Sequence, residues 1–182
     1  MTRKEALELL HEYTASDALR RHALAVETSM LSYARTFGED EEKWGVAGLL
    51  HDFDYEKYPD APDHPLKGSE ILAQRGVSEE IRRAILGHAT YTGVPRDTRL
   101  ARILFACDEL CGFISACAVI RPNKIADLEV KSVKKKIKDK GFARAVNRDD
   151  IQKGAEEAGL DLDRHIATVI EAMRGIAPDL GL

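Results

Sequence analysis

The chain has 182 residues, of which 44% are hydrophobic and 32% are charged, a balance typical of a soluble globular protein. Its formal net charge of −4 argues against general nucleic-acid binding, and no uncharged apolar run is long enough to span a membrane. Three cysteines are too few for a disulfide scaffold, so we expect a reducing cytoplasm.

The first half of the chain predicts five helices separated by short breaks. Each apolar stripe with helical spacing follows a residue that commonly starts a helix, and two of the stripes end at a glycine. These starts are Thr2, Ser16, Asp40, the Asp63-His64-Pro65 step and Ser78, while Gly38 and Gly76 end the second and fourth helices.

The second half predicts a long apolar helix from Thr98 to Ile120, which ends at Arg121-Pro122. Further helices are predicted at about 127–139, 142–147, 150–158 and 161–174. No segment alternates as a strand would. We therefore predict an all-α, compact helical bundle formed by a single domain over 1–182, with a core at about 16–120 and a helical tail at about 121–182 packed on it.

One basic segment interrupts an otherwise acidic chain. Residues 121–148 carry ten basic and three acidic side chains. Such a segment is commonly a solvent-facing helix surface, but it can also form a wall that attracts phosphate beside a site. Lys131 and Lys134 are the candidate phosphate ligands in the second interpretation.

Histidines and aspartates occupy positions of apolar stripes where core residues are expected. Burying an ionised carboxylate without a partner costs several kcal/mol, and neither Lys nor Arg shares the stripe of Asp108. A divalent metal would supply the counter-charge, since it takes imidazole and carboxylate ligands. The residues concerned are His22, His51, Asp52, His88 and Asp108.

Taken in order, His22, the His51-Asp52 pair and Asp108 resemble the H…HD…D pattern of the HD-domain superfamily of metal-dependent phosphohydrolases. The resemblance covers about residues 16–120 and is nearest to the HDIG-type branch, although His51-Asp52 is followed here by Phe53-Asp54. It implies the helical fold and a metal site.

The resemblance also implies the ligands. His22, His51, Asp52 and Asp108 would bind one divalent ion, and His64 and His88 match the extra histidines of members with two ions, which Asp52 would bridge. In the one-ion alternative, His64 and His88 support the site or bind phosphate, and His64 alone could simply cap a helix. The ion could be Fe, Mn, Co, Ni, Zn or Mg.

The implied reaction is hydrolysis by metal-activated water, with Asp52 on the metal and Asp54 as the candidate for orienting the water. Some relatives carry a catalytic Glu three residues after the HD aspartate, where this chain has Tyr55, and Glu56 is a further candidate for that role. His88 is followed by Ala89, which argues against cyclic-di-GMP as substrate. Lys67 is a candidate phosphate ligand or an exposed lysine.

The expected function is cleavage of a phosphoester in a nucleotide or another small phosphorylated metabolite. Two alternatives stay open, namely a di-iron oxygenase on the same fold and a nucleotide-binding module without turnover. Exposed apolar helix surface is compatible with a homodimer. We further expect Trp44 and the three cysteines in the core, and His11 and His165 at the surface.

Overall fold

The computed structural model describes all residues, 1–182, and contains helices but no strands. The chain is therefore all-α, as predicted. None of these helices combines the length and apolarity needed to cross a membrane. The α-helices are α1 (Arg3–Tyr13), α2 (Asp17–Phe37), α3 (Glu41–Leu50), α4 (Asp63–Gln74), α5 (Glu79–His88), α6 (Arg99–Val119), α7 (Val130–Ile137), α8 (Arg148–Glu157), α9 (Leu162–Arg174) and α10 (Ala177–Leu180), with a short 3₁₀ turn at Thr90–Thr92.

Side-chain caps set the starts of the helices in the first half. Thr2 and Glu5 form a reciprocal capping box at α1. At the other starts the side-chain oxygen of one residue accepts a backbone N–H of the first turn, which replaces a hydrogen bond that the helix cannot make itself. These caps are Ser16 for α2, Asp40 for α3, Ser78 for α5 and Thr98 for α6.

Helices α2 and α6, each 21 residues long, form the centre of the bundle and pack against each other. Helix α3 lies on α2, while α5 and α8 lie on α6. One cluster of 40 buried apolar residues connects these helices and also includes Val133, Ile151 and Met173 from the tail. The tail helices therefore share their core with the helices that carry the candidate ligands.

Two glycines allow helix backbones to approach closely. A Cβ added to Gly48 would lie 2.9 Å from the Cα of Glu27, so α3 meets the backbone of α2 at this point. Likewise, a Cβ on Gly154 would lie 2.7 Å from the Cα of Ala106, where α8 meets α6. The first approach holds the end of α3 beside α2, and the second holds α8 beside α6.

The tail differs from the sequence prediction. Residues 142–147 form turns and bends rather than a helix, and Ala143 has a positive φ of 42°. Arg148 donates to the carbonyls of Ile137, Asp139 and Phe142, so a side chain satisfies carbonyls that a continuing helix would have paired internally. Helix α7 is shorter than predicted, and α10 was not predicted at all.

Several core predictions hold, and one is wrong. Trp44 and the three cysteines are buried, and His11 is exposed. His165 was predicted at the surface, but it is 1% exposed. Its Nδ1 lies 2.6 Å from the Tyr33 hydroxyl and its Nε2 lies 2.9 Å from the carbonyl of Ala106, so both ring nitrogens have partners inside the protein.

Candidate metal centre

Six residues that were predicted from the sequence lie close together in the structure. They come from five segments of the chain, namely α2, the end of α3, α4, α5 and α6. In each of two groups, one candidate ligand atom per residue lies within 4.8 Å of the others. The two groups share Asp52. The first group is His22, His51, Asp52 and Asp108, and the second is Asp52, His64 and His88.

Asp52 presents a different oxygen to each group. Its Oδ2 lies 3.4 Å from Nε2 of His51, on the side of the first group. Its Oδ1 lies 3.2 Å from Nε2 of His64 and 3.2 Å from Nε2 of His88. One oxygen of this carboxylate therefore faces each group.

The local backbone explains why adjacent residues can contribute to one site. His51 caps the C-terminus of α3 and Asp52 lies in the turn that follows, so the directions of their side chains are not fixed by a regular helix. His64 has an extended ψ of 135° before the regular part of α4 begins. His88 is the final residue of α5, and Asp108 lies in the middle of α6.

Hydrogen bonds at Nδ1 aim three of the imidazoles. The Nδ1 atoms of His51 and His88 donate to the carbonyls of Gly48 and Ile85, which can only accept. Nδ1 of His64 lies 2.8 Å from Oδ1 of Asp54. In the neutral rings, each Nε2 is therefore an unprotonated acceptor that points into the site.

This arrangement fits a divalent cation. Acceptor nitrogens face acceptor carboxylate oxygens, for example Nε2 of His22 at 3.0 Å from Oδ1 of Asp108. Such contacts are repulsive unless a cation or protons lie between the atoms. No Lys or Arg lines this pocket, so the chain itself supplies no fixed positive charge there.

In the absence of a metal, the pKa shifts show protons taking that place. Burial lowers the pKa of His64, but the hydrogen bonds that its ring donates to Asp52 and Asp54 outweigh burial and raise that pKa to about 9. Burial would raise the pKa of Asp108, yet the charge of His51 and hydrogen bonds from two histidines hold it well below its ordinary value. Metal binding at His64 would therefore displace a proton from its ring.

All members of the two groups except His51 line an open pocket of about 520 Å³. Two tyrosines stand at its edge: Tyr55 packs edge-on to His64, and the Tyr91 hydroxyl donates to the carbonyl of His64. Two further acids, Glu109 and Asp150, also line the pocket. Burial and the charge of Asp108 raise the pKa of Glu109 to about 7.

Asp54 lies behind the site rather than in it. It is fully buried, accepts from Nδ1 of His64 and from the backbone N–H of Gly68, and does not line the pocket. A Cβ on Gly68 would lie 2.7 Å from this carboxylate, so the glycine makes room for it. Because both oxygens of Asp54 face inward, it cannot contact a water in the pocket, and the structure instead places it as the anchor of His64.

None of the three predicted phosphate ligands reaches the pocket. Lys67 is exposed and lies 6.0 Å above the ring of Tyr58. Lys131 and Lys134 line a separate surface depression, where they pair with Glu129 and Asp163. The basic segment is thus a solvent-facing surface in this structure, and the wall beside the site is not formed by it.

Two functional candidates at the rim were missed, namely Glu109 and Asp150. Glu109 follows Asp108 directly, a signal that was present in the sequence but was not used. Asp150 gave no local signal, because it reaches the pocket only through the packing of α8 on α6. Glu56, once a candidate catalytic acid, accepts the backbone N–H groups of Ala15 and Ser16 and so caps the approach to α2.

A sequence model of the HD domain matches residues 19–112, slightly more than half of the chain. The matched range includes every residue of the two ligand groups. No solved structure matches the chain significantly.

Proposed function

The chain belongs to the HD-domain family, and on that premise we propose that it is a metal-dependent phosphohydrolase that cleaves a phosphoester of a small phosphorylated metabolite. One observation carries the proposal. Two sets of buried imidazoles face the two oxygens of Asp52, and no basic side chain lies in the pocket to neutralise them. Such a donor set suits two divalent ions.

The first ion would be held by His22, His51, Asp52 and Asp108, and the second by Asp52, His64 and His88. Bound there, the ions would lower the pKa of water from about 16 toward 7 and offset charge on the phosphoryl oxygens. The hydrogen bonds at Nδ1 of His51, His64 and His88 keep each Nε2 lone pair directed into the pocket.

The protein's own part in the reaction is to hold the ligand atoms in position. His51 is fully buried and His64 and His88 are 5% and 8% exposed, so the ligand atoms keep their direction before the substrate arrives. Tyr55 and Tyr91 are exposed at the edge of the pocket, and a phosphoester would enter past them. The leaving alcohol would remain at this rim.

The test combines metal analysis with phosphate release. We expect the protein purified without added metal to contain close to two equivalents of divalent ion, and to release phosphate from 4-nitrophenyl phosphate or a panel of phosphomonoesters. Asp108→Ala should lower that rate by at least about 100-fold because it removes a ligand and leaves its imidazole partners unopposed. His11→Gln, at an exposed histidine on α1, is the matched control and should behave as wild type.

Other outcomes would overturn the proposal. Predominant iron with consumption of dioxygen and no phosphate release would favour the oxygenase alternative. Tight nucleotide binding without turnover by the metal-loaded protein would favour a binding module. Failure to bind manganese, iron, cobalt, nickel or zinc after reconstitution would exclude the metal centre.

A further inference from the structure

The charges at the rim of the pocket are all negative. Of the 14 lining residues, the carboxylates are Asp52 and Asp108, which belong to the ligand groups, and Glu109 and Asp150, which do not. No Lys or Arg is among the 14. A site for a chain of phosphates would need cationic groups beyond its metal ions, because each added phosphoryl group brings further negative charge.

Glu109 and Asp150 have no cationic partner within salt-bridge distance. Glu109 accepts the backbone N–H of Asn147 at 3.1 Å, and Asp150 accepts from the side-chain amide of the same residue at 2.6 Å. Both carboxylates are partly shielded from solvent. A cation that entered the pocket would meet two carboxylates that are not engaged in direct ion pairs.

Exposed aromatic side chains mark the same rim. Tyr55 is 40% exposed and Tyr91 is 55% exposed, and both line the pocket. Exposed aromatic faces that converge on a cavity indicate ligand contact, and tyrosine rings attract organic cations. The imidazoles of His64 and His88, each more than nine-tenths buried, point into the same cavity.

The net charge of the whole site depends on the ions, the carboxylates and the substrate. Two divalent ions are balanced by the carboxylates of Asp52 and Asp108 together with one phosphoryl dianion. Glu109 and Asp150 then remain as excess negative charge at the rim of the pocket. A substrate with one phosphoryl group and one positive charge would offset one of these two carboxylates.

We propose that the substrate is a phosphomonoester whose alcohol carries a protonated amine, held between Glu109, Asp150 and the rim tyrosines. This inference rests on the proposed hydrolase function. In the reaction, water attacks phosphorus, the bond from phosphorus to the ester oxygen breaks, and that oxygen leaves with a proton as an amino alcohol while inorganic phosphate forms.

The test compares 2-aminoethyl phosphate with n-propyl phosphate, which has the same size without the positive charge. Binding to the metal-loaded protein is measured by calorimetry and phosphate release is measured in parallel. We expect the amine to bind about tenfold more tightly than its neutral isostere, and adenosine triphosphate to bind more weakly than either. Glu109→Gln and Asp150→Asn should each lower the ratio of the affinity for the amine to the affinity for the neutral ester toward one.

Asp149→Asn is the matched control, because Asp149 is exposed on the same turn of α8 and does not line the pocket. Equal affinity for the two esters, or a preference that survives both rim substitutions, would overturn the inference. Phosphate release from the neutral ester would in that case leave the hydrolase proposal standing. If no ester were hydrolysed, the hydrolase proposal would fail, and the binding comparison would still decide whether the rim selects a cation.

Discussion

Three imidazoles of the centre are aimed by hydrogen bonds at Nδ1, but only one of them is aimed by a carboxylate. His51 and His88 donate to backbone carbonyls, whereas His64 meets the buried carboxylate of Asp54. A carboxylate partner makes an imidazole a stronger metal ligand than a carbonyl does. The second ion would therefore depend on a residue that never contacts it.

Asp54→Asn should weaken the second ion selectively. Asparagine keeps the size but loses the charge, and its amide cannot accept from both His64 and the Gly68 N–H. We expect the affinity for the second ion to fall about 10–100-fold while the first is retained, as measured by metal titration. Glu70→Gln, at an exposed position of α4, is the control. Two ions bound with unchanged affinity in the Asp54 variant would contradict this account of His64.

His165 makes a pH-dependent contribution to stability. Burial lowers the pKa of this histidine below its ordinary value of about 6.5, so the unfolded chain binds a proton more readily than the folded chain does. The stability that the neutral ring supports is complete above pH 6.5 and decreases as the pH falls below it. Protonation would also remove the acceptor that Nδ1 offers to the Tyr33 hydroxyl.

His165→Gln should uncouple stability from this titration. Glutamine can still donate to the Ala106 carbonyl but carries no titrating ring. The free energy of unfolding in urea should be lower than wild type at pH 7.5, with a difference that narrows between pH 6.5 and pH 5. His11→Gln should run parallel to wild type over this range because residue 11 is exposed. A constant difference across the range would show that His165 does not titrate on unfolding.

At the scale of elements, two helical glycines distinguish the effect of helix packing on stability from the effect of backbone entropy. Gly48 and Gly112 both lie within helices, but a Cβ on Gly48 would meet the backbone of α2, whereas a Cβ on Gly112 meets nothing within 4 Å. The same substitution should therefore have opposite effects at the two positions.

Gly48→Ala should destabilise the protein by about 1–3 kcal/mol, because α3 must move away from the Cα of Glu27. Gly112→Ala should stabilise it by about 0.5–1 kcal/mol, because alanine loses less backbone entropy on entering a helix. Urea unfolding of the two variants measures both values. Similar destabilisation at both positions would mean that the close approach of α3 to α2 does not limit packing.

The helix starts could be predicted because capping is local. Ser16, Asp40, Ser78 and Thr98 each accept a hydrogen bond from their own helix, so the pattern and the structure coincide. The segment at 142–147 could not be predicted, since its carbonyls are satisfied by a side chain from Arg148 rather than by a helix. Local propensity carries no information about such tertiary hydrogen bonds.

The candidate site, like the fold, could be predicted only in part from the sequence. The positions of its histidines and aspartates on apolar stripes were visible in the sequence, because a buried ionisable group is unusual on any stripe. The roles of Asp54 and Lys134 could not be predicted, because one depends on which way a turn directs a carboxylate and the other on where α7 packs. The contribution of Asp150 likewise required knowing that α8 lies on α6.

At the scale of the whole molecule, the candidate ligands tie together α2, the end of α3, α4, α5 and α6. An ion that binds only the folded arrangement stabilises it by mass action, by about 3–4 kcal/mol at concentrations 100 to 1,000 times the dissociation constant. The metal centre would therefore contribute to folding as well as to chemistry.

Removing the metal should lower the melting temperature by roughly 5–15 °C, since about 1 kcal/mol corresponds to roughly 2–4 °C in a chain of this size. Calorimetry before and after chelation measures the shift, and restoring a divalent ion should reverse it. Asp108→Ala should show a smaller shift than wild type because it has lost a ligand of the first group. Identical melting temperatures of the metal-free and metal-loaded proteins would show that the metal centre does not contribute to the stability of the fold.

The burial of the three cysteines has a practical consequence. Cys107 and Cys111 are 0% exposed and Cys117 is 2% exposed, and burial raises the pKa of the last two to about 12 and about 11. Almost no thiolate forms near neutral pH, so thiol-reactive dyes and spin labels should leave the folded protein unmodified. A single cysteine introduced at the exposed Thr90, on the pocket rim, would then carry the only label and could follow ligand entry without removal of any native residue.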